Sequence, residues 1–305
     1  MRALPLPDEL VRRHFLAPLT FRAGLLRFRK DHIASGLMSE MRERVLVEVV
    51  AAMTERSIPV LLFKGISYVG SLYPDPAERP MSDIDLLVPS AAFSDAAAVL
   101  RRLGYWRAGA PRQASRFHHS ICFKRADAAV DLHRSVMQGW RSEIDLTGIW
   151  HRARPAAERD DGTLRMEPVD EAVLHLAHIG RHELRVPVIN YLDAARLMDR
   201  LARPHEQILA RARGFRIRRL VAAALAMSEA LIDGRDLGSS LRAAGLTGIA
   251  PLRALLPDTR EVLADLPLAR PLQVLRKAIL VDGPLELMGL LLVGAHGRLA
   301  HRFRA

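Results

Sequence analysis

Cysteine is all but missing from this 305-residue sequence, and the single Cys122 can form neither an internal disulfide nor a multi-cysteine metal site. A reducing, cytoplasmic setting is the expectation. Lysine is scarce as well, standing only at positions 30, 64, 124 and 277. The formal charge of +11 and the pI near 10.8 are therefore carried almost wholly by arginine. No single basic run dominates. The densest, Arg211 to Arg219, falls among helical residues and reads as a solvated face, so nucleic acid is an open but disfavoured partner. Long apolar runs are also lacking. The stretch Leu285 to Val293 contains Glu286 and falls short of the roughly 20 residues a spanning helix needs, so no membrane is expected. The opening MRALPLPDEL breaks its apolar stretch with prolines and acids, so export is not expected either. No Gly-x-x-x-x-Gly-Lys-Ser/Thr phosphate loop occurs, Gly65 to Gly70 is one residue too long for a hydrolase nucleophile elbow, and no internal repeat is present.

Half of the residues are hydrophobic, enough for one large core or two modest ones, and two domains are the better expectation. Val45, Val49, Ala52 and Met53 recur at helical spacing up to Ser57-Ile58-Pro59. Val60 to Phe63 then reads as a short central strand, followed by Lys64-Gly65. Three prolines between Tyr73 and Pro80 demand a loop. Ile84 to Val88 is a second strand, Phe93 to Leu103 a helix stopped by Gly104, and two further strands are expected around 117–124 and 129–133. From about Val169 the pattern turns to Ala/Leu/Arg-rich segments at helical period, divided by Pro204, Pro251, Pro257, Pro267 and Pro284. The expected fold is α+β: an N-terminal helical segment (1–40), a domain with a small mixed sheet and flanking helices (41–160), and a C-terminal helical domain (161–305).

The chemistry concentrates in Ser82-Asp83-Ile84-Asp85-Leu86. Two carboxylates two residues apart at the start of an apolar strand point to one sheet face, a geometry suited to divalent metals. In Ala129-Val130-Asp131-Leu132-His133, alternation again puts Asp131 and His133 on a common face. A bland reading stands beside each residue. Asp83 alone fits a turn or cap after Ser82. Asp131 with His133 fits a local structural pair, Lys64 an exposed strand-end charge, and Arg79 an ion pair with Glu78 or Asp75. Asp85, set between Ile84 and Leu86, is costly to bury unless paired or coordinated.

The blocks LLFKGISYVGSLYPDPAERPMSDIDLLV and VDLH, and more loosely LHLAHIGRHELRVPVINYLDAARLM, resemble the bacterial uncharacterised nucleotidyltransferases of the DNA polymerase beta-like superfamily. The likeness spans roughly residues 41 to 200. It implies that Asp83, Asp85 and Asp131 form the catalytic, metal-binding triad for Mg²⁺ or Mn²⁺, and that Gly65 marks the turn whose amides approach an NTP. The superfamily usually has Gly-Ser or Gly-Gly there, whereas this chain has Gly65-Ile66 and a longer proline-rich insert. Nucleotide contacts are accordingly expected from Lys64, Gly65, Ser67 and Arg79. His133, His119, His175 and His178 are candidate pocket residues. His175, His178 and His182 share helical spacing, and core or pocket-lining roles are favoured over a zinc site.

The resemblance implies an enzyme that moves a nucleoside monophosphate from an NTP to an unidentified acceptor, a peptide or protein side chain or a small molecule, with pyrophosphate leaving. The helical domain (161–305) is expected to close over the nucleotide and, because the small sheet has little surface left for a second substrate, to shape the acceptor pocket. An inactive nucleotide-binding regulator and an arginine-rich RNA-binding module are the alternatives. Three like charges on one face are further expected to repel, so that removing one, Asp85 included, leaves the metal-free fold intact or stabilises it.

Overall fold

A computed structural model of the chain describes residues 6–108, 119–126, 128–137, 144–246 and 256–264, with Leu280 and Asp282. Phe117, His118, Pro251, Pro267, Pro284 and the run from Leu285 to Val293 lie outside the described residues. The chain divides into two compact units, Met1–Gln138 with Leu146–Glu167, and Gly139–Asp145 with Pro168–Ala305.

The first unit opens with helices α1 (Asp8–Arg13), α2 (Ala17–Arg22) and α3 (Arg29–Thr54). In α3 the buried residues Leu46, Val49, Val50 and Met53 recur at the i, i+3, i+4, i+7 spacing of one helix face. The sheet strands are β1 (Leu61–Phe63), β2 (Ile84–Leu87), β3 (Trp106–Arg107), β4 (Ser120–Arg125), β5 (Ala128–His133), β6 (Arg154–Pro155) and β7 (Leu164–Arg165). Between them lie α4 (Gly65–Tyr68), α5 (Phe93–Arg102) and α6 (Leu146–Arg152). The sheet is mixed, in the order β3-β4-β5-β2-β1-β7-β6, with β2 parallel to β5, β1 parallel to β7 and the other pairs antiparallel.

Alternation along the strands separates two faces. Leu62, Ile84, Leu86, Phe123, Val130 and Leu132 join the apolar faces of α3 and α5 in one core. The opposite parity holds Phe63, Asp85, Cys122, Asp131 and His133, which the register sets side by side: Phe63 opposite Asp85, Asp85 opposite Asp131, and Asp131 opposite Cys122. Burying one face against helices therefore aims Asp85, Asp131 and His133 to the other, while Arg125, at the end of β4 on the core side, pairs with Glu48 of α3.

The second unit contains α7 (Pro168–Arg181), α8 (Val188–Met198), α9 (Pro204–Gly214), α10 (Arg218–Ser228), α11 (Leu237–Ala243) and α12 (Thr259–Ala264). Pro204 opens α9 at a position where a missing N–H costs nothing. Helix α10 packs on α7 at a point where a Cβ on Gly180 would lie 2.7 Å from Leu220 Cγ and 2.8 Å from the Leu220 carbonyl oxygen, so glycine is required. Within the Arg211–Arg219 cluster, Arg211 pairs with the fully buried Asp170 and Arg218 donates to the Ala244 carbonyl, so the run does not form one open cationic patch.

Candidate active site

Strand β2 delivers Asp85 into a buried position, and β5 delivers Asp131 beside it in register. Two donors converge on one oxygen of Asp85. Lys64 Nζ donates to Asp85 Oδ1 at 2.7 Å, and His133 Nε2 lies 2.8 Å from the same atom. Phe63 backs both donors: its ring meets the His133 ring edge-on at a centroid distance of 5.2 Å, and Lys64 Nζ sits 5.1 Å from its centroid. Lys64 holds φ 55° and ψ −139°, a backbone conformation that favours glycine. The left-handed residue thus precedes Gly65, which is itself the first residue of α4. Gly65 follows β1 at the helix start, and the backbone strain sits on the lysine that reaches the carboxylate.

The acidic groups are pulled in opposite directions. Burial would raise the Asp85 carboxyl, but Lys64 and His133 outweigh it and hold it below the usual carboxylate range. Asp83 is raised by burial and by repulsion from Asp85 and Asp131, against a hydrogen bond from Ser82 and the charge of Lys64. The Cys122 thiol is pushed up to about 11 by burial and by the adjoining Asp131. The expected repulsion among the three carboxylates is therefore present at Asp83, whereas at Asp85 it is overcome. Removing Asp85 would strand the Lys64 charge, a cost that works against the expected relief of repulsion.

A divalent cation fits this donor set. Asp85, Asp131 and His133 each offer a ligand atom, all within 4.8 Å of one another, and no other group of three among the described residues does so. His133 Nδ1 is buried without a hydrogen-bond partner, and Asp83 feels both neighbouring carboxylates. Sequence reading took His133 as a pocket candidate; the fold brings it into the carboxylate cluster.

The remaining candidates divide. Arg79 is buried with its guanidinium over Gly65, 3.7 Å from where a Cβ would stand, and it donates to the Pro80 carbonyl. Asp75 and Glu78 are instead within ion-pair distance of Arg22. Ser67 is fully buried, its hydroxyl 3.5 Å from Arg165, which pairs with Glu158. The His119 ring lies 5.6 Å from that of His133. His175 and His178 belong to the second unit, where His175 is buried and donates from Nε2 to the Asn190 carbonyl at 2.7 Å, and His178 stands 4.6 Å from the His182 ring.

Two neighbours of the acidic cluster escaped sequence reading. Arg42, on α3, is held below its ordinary value by burial, which outweighs the opposing pull of the Asp83 charge. Cys122 is Asp131's cross-strand partner. Nothing in the local sequence around Arg42 marks it. The β4–β5 alternation could have found Cys122.

A family model described as uncharacterised nucleotidyltransferase matches residues 8–233. No curated protein matches the chain. Among solved structures, a solution structure of the antibiotic-resistance factor ANT(2'')-Ia is 14% identical, covering 58% of this chain and 92% of that one with a TM-score of 0.43. A crystal structure of ANT(2'')-Ia in complex with adenylyl-2''-tobramycin is 13% identical, covering 57% and 98% with the same TM-score of 0.43.

Proposed function

The chain belongs to the uncharacterised nucleotidyltransferase family, and from that premise we propose that it transfers a nucleoside monophosphate from an NTP to an acceptor hydroxyl. The observation that carries this reading is the in-register pair of Asp85 and Asp131, with His133 and Lys64 both on Asp85, on one sheet face. Asp83, Asp85, Asp131 and His133 are the residues to hold Mg²⁺ or Mn²⁺. Such ions activate an attacking oxygen and neutralise charge on the leaving group.

The protein's own side chains do the rest. Lys64 has three ammonium donors and uses one on Asp85, leaving two for phosphate oxygens. Arg79, held over Gly65, adds a second cation to the phosphate side. Asp131 receives the acceptor's proton. One bond forms, from the acceptor oxygen to the α-phosphorus, and one breaks, from the α-phosphorus to the pyrophosphate oxygen. The test is incubation of the full chain with labelled NTPs, Mg²⁺ and cell lysate, alongside Asp85→Asn. Labelling of a discrete molecule by wild type and at least about 100-fold less by the variant supports the reading; equal labelling by both overturns it.

A further inference from the structure

One row of residues crosses the sheet at the level of Asp83. Because Ile84 pairs with Val130, Ala129 stands at the Asp83 level on β5; Lys124 pairs with Ala129, and Trp106 with Lys124. Alternation puts Lys124 on the face of Cys122, and its charge acts on that thiol. With strands roughly 4.8 Å apart, the row runs about 14 Å from Asp83 to Trp106.

The face is closed at its other end, where Leu61, Leu87 and His133 are buried. Along this row it opens: Ala129 is half-buried, Lys124 is exposed and Trp106 is 54% exposed. Lys124 has no ion pair among the described residues. Two of the four lysines in an arginine-rich chain thus flank the carboxylates, Lys64 on the β1 side and Lys124 on the β4 side.

In-line displacement puts the attacking and leaving oxygens on opposite sides of the phosphorus. With the phosphates on the Lys64 side, the acceptor enters over β5 and β4. We infer that Ala129, Lys124 and Trp106 form the acceptor subsite, and that the acceptor is a small hydroxylated molecule carrying a ring and an anionic group. The indole face stacks a ring, the ammonium holds a phosphate or carboxylate, and Ala129 leaves the space between them clear. A polycationic acceptor would set its ammonium groups against Lys124. This inference rests on the nucleotidyl-transfer reading.

The test uses the full chain with Mg²⁺ and α,β-methylene-ATP, which occupies the nucleotide side without being cleaved. Phenyl phosphate is titrated against it by calorimetry, with benzylamine as the cationic counterpart. Expected is binding of phenyl phosphate at least tenfold tighter than benzylamine, weakened at least tenfold in Trp106→Ala/Lys124→Gln, while the affinity for the ATP analogue shifts less than twofold. Both side chains are exposed, so the double variant keeps its core, and circular dichroism checks this. Equal phenyl phosphate affinity in the variant, or preference for benzylamine, overturns the subsite and leaves nucleotidyl transfer standing. Parallel loss of the ATP analogue assigns the strip to the nucleotide and overturns it too. Failure of wild type to bind the analogue at all sinks the transfer reading, and the acceptor subsite with it.

Discussion

At Asp83 and Asp85 the same chemical group faces opposite consequences, because one is repelled by its surroundings and the other is embraced by them. Asp83 holds its proton more tightly folded than unfolded, so its ionisation costs stability; that cost is absent below the unfolded carboxylate range and complete above the raised folded value. Asp83→Asn should therefore raise the melting temperature in EDTA at neutral pH, with the gain vanishing in acid and reversing when Mg²⁺ is added. Asp85 is the mirror case. Its lowered carboxyl contributes stability above the unfolded range, and that contribution is lost as pH falls through the folded value. Asp85→Asn strands Lys64, which is only a quarter exposed, at a cost toward the low end of roughly 3–5 kcal/mol. Denaturant titration at pH 7 reads this directly, and an Asp85→Asn protein as stable as wild type would remove the ion pair from the account. Cys122 offers a third probe. With its thiol pushed up to about 11, iodoacetamide should label it on the order of 100-fold more slowly at pH 8 than an ordinary cysteine, and Asp131→Asn should speed the reaction. Mass spectrometry follows the single site without ambiguity.

At the scale of elements, the turn from β1 into α4 stores strain to place a cation. Lys64 at φ 55° is disfavoured for any residue with a Cβ, so Lys64→Gly should be more stable than Lys64→Ala by about 1 kcal/mol, although both lose the ion pair. Equal stability would mean that the turn relaxes once the side chain is gone. Lys64→Ala and Arg79→Ala should each weaken NTP binding roughly tenfold or more, as loss of a charge-assisted phosphate contact implies. Unchanged affinity in both would remove the phosphate roles. The strands and helices that carry these residues were legible where they were long and periodic: α3, α5, β2 and β5 follow from spacing alone. Strands β3, β6 and β7 are two residues each, too short to show any period, and exist because a neighbouring edge supplies their hydrogen bonds.

At the scale of the whole chain, the apolar cluster that joins α3, α5 and the sheet is built from the first unit's own residues, its buried members all lying between Leu46 and Ala156. A fragment of residues 1–167 should accordingly keep a cooperative thermal transition, followed by circular dichroism. Loss of the transition would show that the core needs the helical unit. The same fragment separates two acceptor readings. If the strip from Ala129 to Trp106 anchors the acceptor, phenyl phosphate binds the fragment nearly as well as the full chain; if the helical unit shapes that pocket, binding falls with it.

The sequence by itself determined the acidic pair, its strand and the face it shares, because alternation at period two is a local property that Ile84 and Leu86 make unmistakable. Tertiary structure decided what each carboxylate experiences. Lys64 and Asp85 are twenty-one residues apart, His133 and Asp85 forty-eight, and Trp106 reaches the level of Asp83 only through three successive strand pairings. Those distances along the chain collapse through register, which burial of the opposite sheet face selects and no local pattern encodes.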